Sequence, residues 1–226
     1  MAVLEAYKRN IHSQNGEDGI IEEILSRLSI RDGMFVEFGA WDGRYLSNTY
    51  ALLEKGWQGV YIEGDPAKYE DLVRNMAGYS SKLDLQCAFV EPAGEGSLDN
   101  LLAKTRVGED FEVLSIDVDS CDWQIWQGLH RYRPKIVIIE VNSYIPIGIY
   151  QTHRGGKAMG SSFTAMVDLG AKKGYSPVCH TGNVLFVRND LVGRLGLPEV
   201  ELLFPETLFD YRHIELRYER PGNGPE

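Results

Sequence analysis

Asp117 and Asp119 stand two positions apart in VLSIDVDSC, and Glu140 and Asn142 repeat that spacing in IVIIEVNS. In an extended chain alternate side chains point the same way, so each pair presents two oxygen-bearing groups to one side. If the two segments are neighbouring strands, all four groups gather at the strands' carboxyl ends. Repulsion there has to be relieved by protons, donors or a cation. Three readings are open. Carboxylate and amide oxygens without cysteine or paired histidines suit a hard cation such as Mg2+, Ca2+ or Mn2+, with Asp117, Asp119, Glu140 and Asn142 as its ligands. In the second, one carboxylate is a general base for an acceptor hydroxyl, with a pKa raised by desolvation. Asp119 is the choice for that base, with Asp117 nearer a cofactor. In the third, Asp119, Ser120 and Asp122 cap the helix WQIWQGL.

A second group of acids surrounds the turn VEFGAWDG. Glu37 and Asp42 flank it, and Glu63 follows Gly39 by about one βαβ repeat, where an acid at a strand end accepts from both hydroxyls of a ribose. Gly39 would let a ligand approach the backbone, Gly43 would permit a tight return, and the next helix would offer amide hydrogens to an anion. The turn is not a dinucleotide fingerprint, because its glycines lack the G-x-G-x-x-G spacing that seats a pyrophosphate. Its carboxylates suit a cationic ligand better. The plainer alternative is a strand-to-helix turn with Glu63 solvated.

His153 lies in YQTHRGGKAMGSS, a glycine-flanked segment that reads either as a lid over an acceptor, carrying a catalytic histidine, or as an exposed loop. Arg154 and Lys157 make it locally basic, a hint of an anionic acceptor. In HSQNGEDG, Ser13 or Asn15 reads as a helix cap, while Gln14 or Glu17 would fold over a cofactor pocket. Trp41, Tyr45, Trp123 and Tyr144 either line a pocket or join the core.

The elements that must position these groups follow from periodicity. MFVEF, GVYIE, LDLQCAFV, FEVLSIDV and KIVIIEV are short apolar runs that read as buried parallel strands. Between them SNTYALLEKG, AKYEDLVRNMAG, SLDNLLAKT and DWQIWQGLHRY carry helical spacing, so βαβ units on both faces of a sheet are expected. A further helix, SSFTAMVDLGAKKG, precedes two strands, YSPVCHT and NVLFVRND, joined around Gly182 as an antiparallel edge hairpin. The expectation is a single domain, residues 1–226, with a Rossmann-like, doubly wound, mostly parallel seven-stranded α/β sheet. Its core would span about residues 13–190. In the tail, about 197–226, Phe204, Leu208, Phe209 and Tyr211 would dock on the body or on a second subunit of a homodimer, ahead of a disordered Pro/Gly end.

Composition narrows the function classes. The chain has 226 residues, 43% hydrophobic and 25% charged, enough for one sizeable core. A net charge of −10 without a basic run argues against nucleic acid as a partner. Cys87, Cys121 and Cys179 form no CxxC pair, which points to a reducing cytoplasm rather than a disulfide framework. No signal-like or membrane-spanning apolar stretch is present, so no membrane insertion is expected.

The E-x-G-A-x-D-G turn, YIEGDP, LSIDVDSCDWQIWQGL, PKIVIIEVN and the leading SQNGEDGIIEEIL resemble the FkbM-like branch of the class I S-adenosylmethionine-dependent methyltransferases, over about Ser13 to Asn189. The resemblance implies S-adenosylmethionine as cofactor. Glu37, Gly39, Asp42 and Gly43 would hold its methionine part and Glu63 its ribose, with Asp65 near the adenosine and Ser97 near the adenine. Familiar members carry DVEG or DIDG where this chain has DVDS, Asp117 to Ser120. The implied reaction is O-methylation of a small-molecule acceptor, a sugar or glycoside hydroxyl, with or without Mg2+ at the acceptor. A nicotinamide-dependent oxidoreductase and a non-catalytic binding module are the alternatives.

Overall fold

The computed structural model describes residues 2–118, 120–155 and 160–214. Asp119 and Lys157 lie outside them. Seven strands form one sheet: β1 (Met34–Phe38), β2 (Gln58–Glu63), β3 (Leu83–Cys87), β4 (Val113–Ile116), β5 (Ile136–Glu140), β6 (Tyr175–His180) and β7 (Asn183–Arg188). Their order is β3-β2-β1-β4-β5-β7-β6, with β1 to β5 parallel and β7 antiparallel to both neighbours. The chain winds outward from β1 to β3, then returns to lay β4 beside β1. Strand order therefore reverses between β1 and β4, where a doubly wound sheet opens a crevice at its carboxyl edge.

Alternation along each central strand divides the core in two. Phe35 of β1 with Ile136 and Ile138 of β5 faces one side, packed with Ile20, Ile24, Leu53, Leu72 and Met76. Val36 and Phe38 with Val137 and Ile139 face the other, against Leu98, Leu102, Trp126, Phe163 and Met166. The first layer belongs to helices α1 (Glu17–Arg27), α2 (Tyr50–Glu54) and α3 (Pro66–Met76); the second to α4 (Leu98–Leu102), α5 (Asp122–Gly128) and α6 (Phe163–Lys173). Local chemistry bounds the long helices. Asp65 accepts from Ala67 N and Lys68 N to start α3, Ser162 accepts from Ala165 N to start α6, and left-handed Gly174 ends it. Pro177 is tolerated in β6 because that strand is the sheet edge, where a register shift at Pro177/Cys179 absorbs it.

Two helix starts differ from expectation. α1 has left-handed Gly16 as its N-cap with no side-chain bond, in place of Ser13 or Asn15. Asp18 reaches back instead: its Oδ2 accepts from the amides of Ile11, His12 and Ser13, each at 2.8 Å, while Ser13 Oγ accepts from Asp18 N. α2 begins only at Tyr50, because the preceding Ser47, Asn48 and Thr49 are drawn to a buried acid. The tail docks in part on the body: Leu208 and Phe209 are buried, while Phe204 and Tyr211 are exposed. Among the described residues no helix is long and apolar enough to cross a membrane.

Candidate functional site

At the strand-order reversal lies a cleft of about 700 Å³, and its walls include Glu37, Gly39, Glu63 and Asp117. Glu37 is central to its construction. In register it stands between Tyr61 of β2 and Ser115 of β4. Its Oε2 accepts from Ser47 Oγ at 2.7 Å and Thr49 Oγ1 at 2.5 Å, and its Oε1 from Asn48 N at 3.0 Å. Asn48 Nδ2 also donates to Ser115 Oγ, and the Tyr61 hydroxyl meets Thr49 Oγ1 at 3.3 Å, where it is the donor because the Thr49 hydrogen is given to Glu37. One buried acid thus ties three strands to the loop before α2. Burial pushes the Glu37 pKa up, and these donors pull in the opposite direction.

Glu63 closes β2 with its carboxylate buried and bonded twice to backbone. Oε2 accepts from Trp41 N at 2.7 Å and Oε1 from Asp65 N at 2.8 Å. Each oxygen keeps a lone pair, so the carboxylate is oriented without being saturated. The Trp41 bond also holds a strained loop: Trp41 and Leu46, both lining the cleft, take left-handed φ values of 47° and 56°. Trp41 is half exposed, with Lys68 Nζ 4.5 Å from its ring centroid.

Most amides of the glycine turn are occupied. Those of Gly39 and Ala40 bond Ile62 O, that of Gly43 bonds Ala40 O, and those of Arg44 and Tyr45 bond Asp42 Oδ1. The expected cradle of amide hydrogens for an anion is therefore absent from these positions, and carboxylates take its place. Gly39 is required for a different close approach: at φ +72° a Cβ would fall 1.9 Å from Asp117 O, so the glycine lets the chain after β4 pass close against the end of β1. Gly43, at φ +78°, lies against Leu72 and Met76, away from the cleft. Asp42 is spent on its own loop.

A second lobe of about 330 Å³ adjoins the first, sharing Gln14, Asp117 and Glu140 with it. Asn142, Tyr144, Asn183 and His213 complete its wall. The structure thus brings Asp117, Glu140 and Asn142 together, as their spacing predicts. Among the described residues, which leave out Asp119, no group of three or more His, Cys, Asp or Glu side chains is placed to hold a metal ion. Asn142 Oδ1 accepts from Tyr144 N at 3.1 Å, turning the chain after β5.

Other expected positions fall elsewhere. Asp65 is the α3 cap. Ser97 is the residue before α4, and the post-β3 residues that reach the cleft are Ala88, Phe89 and Val90. His153 is outside both lobes; its backbone joins Ser161 Oγ and Gln124 Nε2, and its buried Nδ1 has no partner among the described residues. Gln14 does reach both lobes, whereas Glu17 is buried beneath the second. Trp41 and Tyr45 line the cleft and Tyr144 the second lobe, but Trp123 is tied to Ala165 O. Sequence reading missed Phe89, Lys68, Asn183 and His213. Phe89 alone carried a signal, as a large apolar residue just beyond a strand.

No family model matches the chain, and no curated protein matches it in sequence. Solved structures do match in shape. An S-adenosylmethionine-dependent methyltransferase from Clostridium acetobutylicum superposes with a TM-score of 0.50 at 9% identity, covering 82% of this chain and 94% of that one. The fold is the Rossmann-like methyltransferase fold. A TehB-like methyltransferase from Corynebacterium glutamicum matches with a TM-score of 0.47 at 12% identity, over 82% of this chain and 92% of that one. TrmK of M. capricolum, solved with S-adenosyl-homocysteine, matches at 0.43 and 10% identity, over 86% and 80%. Further matches bear the names of RNA methyltransferases. Within the methyltransferase fold, the antiparallel β7 inserted between β5 and β6 is what carries Asn183 to the second lobe.

Proposed function

We propose that the chain is an S-adenosylmethionine-dependent methyltransferase acting on a hydroxyl of a small molecule, a sugar or glycoside being the class that fits. The observation that carries this reading is the chemistry of the first lobe: Glu63 faces it with a carboxylate locked by two amides, while most of the turn's own amides are already used. Such a wall suits a cationic ligand with vicinal hydroxyls and disfavours a pyrophosphate. Burial that raises the Glu37 pKa acts in the same direction, because a nearby cation relieves the cost of keeping that acid ionised.

The donor set fits S-adenosylmethionine. Glu63 accepts from the ribose hydroxyls, Glu37 and the turn from Gly39 hold the amino-acid end, and Phe89 gives an apolar surface beyond β3. When bound, the cofactor supplies a methyl group already activated on a sulfonium. The protein then has to align an acceptor hydroxyl and take one proton. Asp117 and Glu140 both border the two lobes; on this reading Asp117 takes the proton, with Asp119 as a further base. The charge of −10 favours a small acceptor over a nucleic acid.

Calorimetric titration with S-adenosylmethionine, S-adenosylhomocysteine and NAD+ tests the proposal. Micromolar binding of the two sulfur ligands and none of NAD+ is expected. Binding of NAD+ alone would make the crevice a redox site and overturn it. Turnover should survive dialysis against a chelator; a loss that Mg2+ restores would bring the ion back into the mechanism.

A further inference from the structure

The second lobe contains a buried acceptor that the protein orients and leaves unmatched. Asn183, at the start of β7, is 7% exposed and lines the lobe. Its Nδ2 donates to Glu17 Oε1 at 3.0 Å. Glu17 is itself fully buried and accepts in addition from Thr181 Oγ1 at 2.6 Å and Asn15 N at 2.7 Å. A carboxylate surrounded by donors cannot donate in return, so the Asn183 amide has one stable orientation, nitrogen toward Glu17 and oxygen away from it. That oxygen, Oδ1, is buried and has no hydrogen-bond partner among the described residues. An orphaned acceptor is costly in a folded protein, and its position in a lobe beside a cofactor cleft gives the cost a purpose: a ligand hydrogen completes it.

The surroundings agree in sign. Asp117 and Glu140 border the same lobe, and among its described lining residues His213 is the one side chain able to carry positive charge. Arg154 does not line it and Lys157 lies outside the described residues, so among the described residues the anionic acceptor suggested by the basic loop finds no counter-charge here.

We infer that Asn183 Oδ1 accepts a hydroxyl or amine hydrogen from the methyl acceptor, and that the second lobe selects a neutral or cationic, donor-rich molecule over an anionic one. Glu17 is the positioning residue that sets the amide. The inference rests on the methyl-transfer reading, which supplies the reason for a second ligand beside the first.

The test uses the full chain saturated with S-adenosylhomocysteine and saturation-transfer NMR with three probes at equal concentration: methyl α-D-glucopyranoside, D-glucosamine and D-glucose 6-phosphate. The glucoside and the amino sugar should bind and the phosphate should not. Asn183→Ala should weaken the two by about 10-fold or more, the loss expected for one hydrogen bond to a buried group, while affinity for S-adenosylhomocysteine stays within about twofold. Glu17→Gln, which permits the amide to turn over, should weaken the sugars in the same way. Binding of the phosphate equal to that of the glucoside, unchanged sugar binding in a folded Asn183→Ala, or silence from both the glucoside and glucosamine would each overturn the inference. The wild-type panel decides selectivity even if a variant fails to fold. Failure of wild-type protein to bind S-adenosylhomocysteine would instead overturn the methyl-transfer reading.

Discussion

The two lobes of the crevice are built on opposite plans. The first draws on the stretch from Glu37 to Ser47 and on residues that follow β2, β3 and β4, and its Glu37 and Glu63 are already bonded to protein amides and hydroxyls. The second is assembled from segments remote in sequence, and it leaves Asn183 Oδ1 unmatched. A lobe whose Glu37 and Glu63 are already bonded keeps its shape without a ligand, whereas a lobe with an orphan acceptor is completed by one. The first therefore suits a common cofactor and the second a selected substrate.

The strongest way to break this contrast is Glu63→Ala. On the proposed reading it removes both ribose bonds, and it frees the left-handed Trp41 backbone, so affinity for S-adenosylhomocysteine should fall by about 100-fold or more, measured by calorimetry. Equal losses in sugar binding would show that the lobes are not separable. Glu37→Ala comes next. It strips a buried acid from three donors and should lower stability by about 2–3 kcal/mol in urea unfolding; a change within error would mean that the polar row does not organise the sheet.

A pH dependence sharpens the second lobe's dependence on the tail. His180 Nδ1 accepts from Asp210 N at 3.0 Å, so its proton sits on Nε2, which meets Ser143 Oγ at 2.9 Å. Ser143 lines the second lobe and Phe209 stacks on the His180 ring. Burial, with His213 adding to it, pushes the His180 pKa down from 6.5 to about 3. The unfolded chain takes up a proton below about 6.5 that the native protein refuses. This contribution is full above that pH and falls as pH drops toward 3, by up to about 1.4 kcal/mol per pH unit. Glu37, with its pKa raised, contributes in the opposite sense, favouring the fold at low pH and less as pH rises. Comparing wild type with His180→Gln between pH 7 and pH 5 cancels that background. The variant should be less stable at pH 7 but lose less on acidification, and parallel curves would refute the assignment.

The smallest effect is expected from Lys68→Met. Its ammonium over the Trp41 ring at a half-exposed site contributes about 0.5–1 kcal/mol, so affinity for S-adenosylhomocysteine should change by a few-fold at most. A larger loss would make Lys68 a direct ligand contact.

Much of the fold was legible because its signals are local. MFVEF is β1 residue for residue, KIVIIEV contains β5, and the Gly182 turn joins an antiparallel hairpin. Glu63 at the end of β2 was legible by position. The polar row around Glu37 was not: Ser47, Asn48 and Thr49 have the pattern of a helix start, and only the buried acid on the preceding strand turns them from α2 toward the sheet. The orphan at Asn183 was equally hidden, since an asparagine after a turn glycine reads as turn chemistry.

By itself the sequence determined the periodicities, hence seven strands, six principal helices and acids at the carboxyl ends of β1, β2, β4 and β5. These depend on neighbours a few residues away. Only the tertiary structure decided that most of the turn's amides are spent, that Gly39 makes room for Asp117 O, and that Glu17 orients Asn183 from 166 positions away in the chain. Hydrogen bonds are satisfied in space, and which donor reaches which acceptor first is settled when the sheet has brought distant segments to one edge.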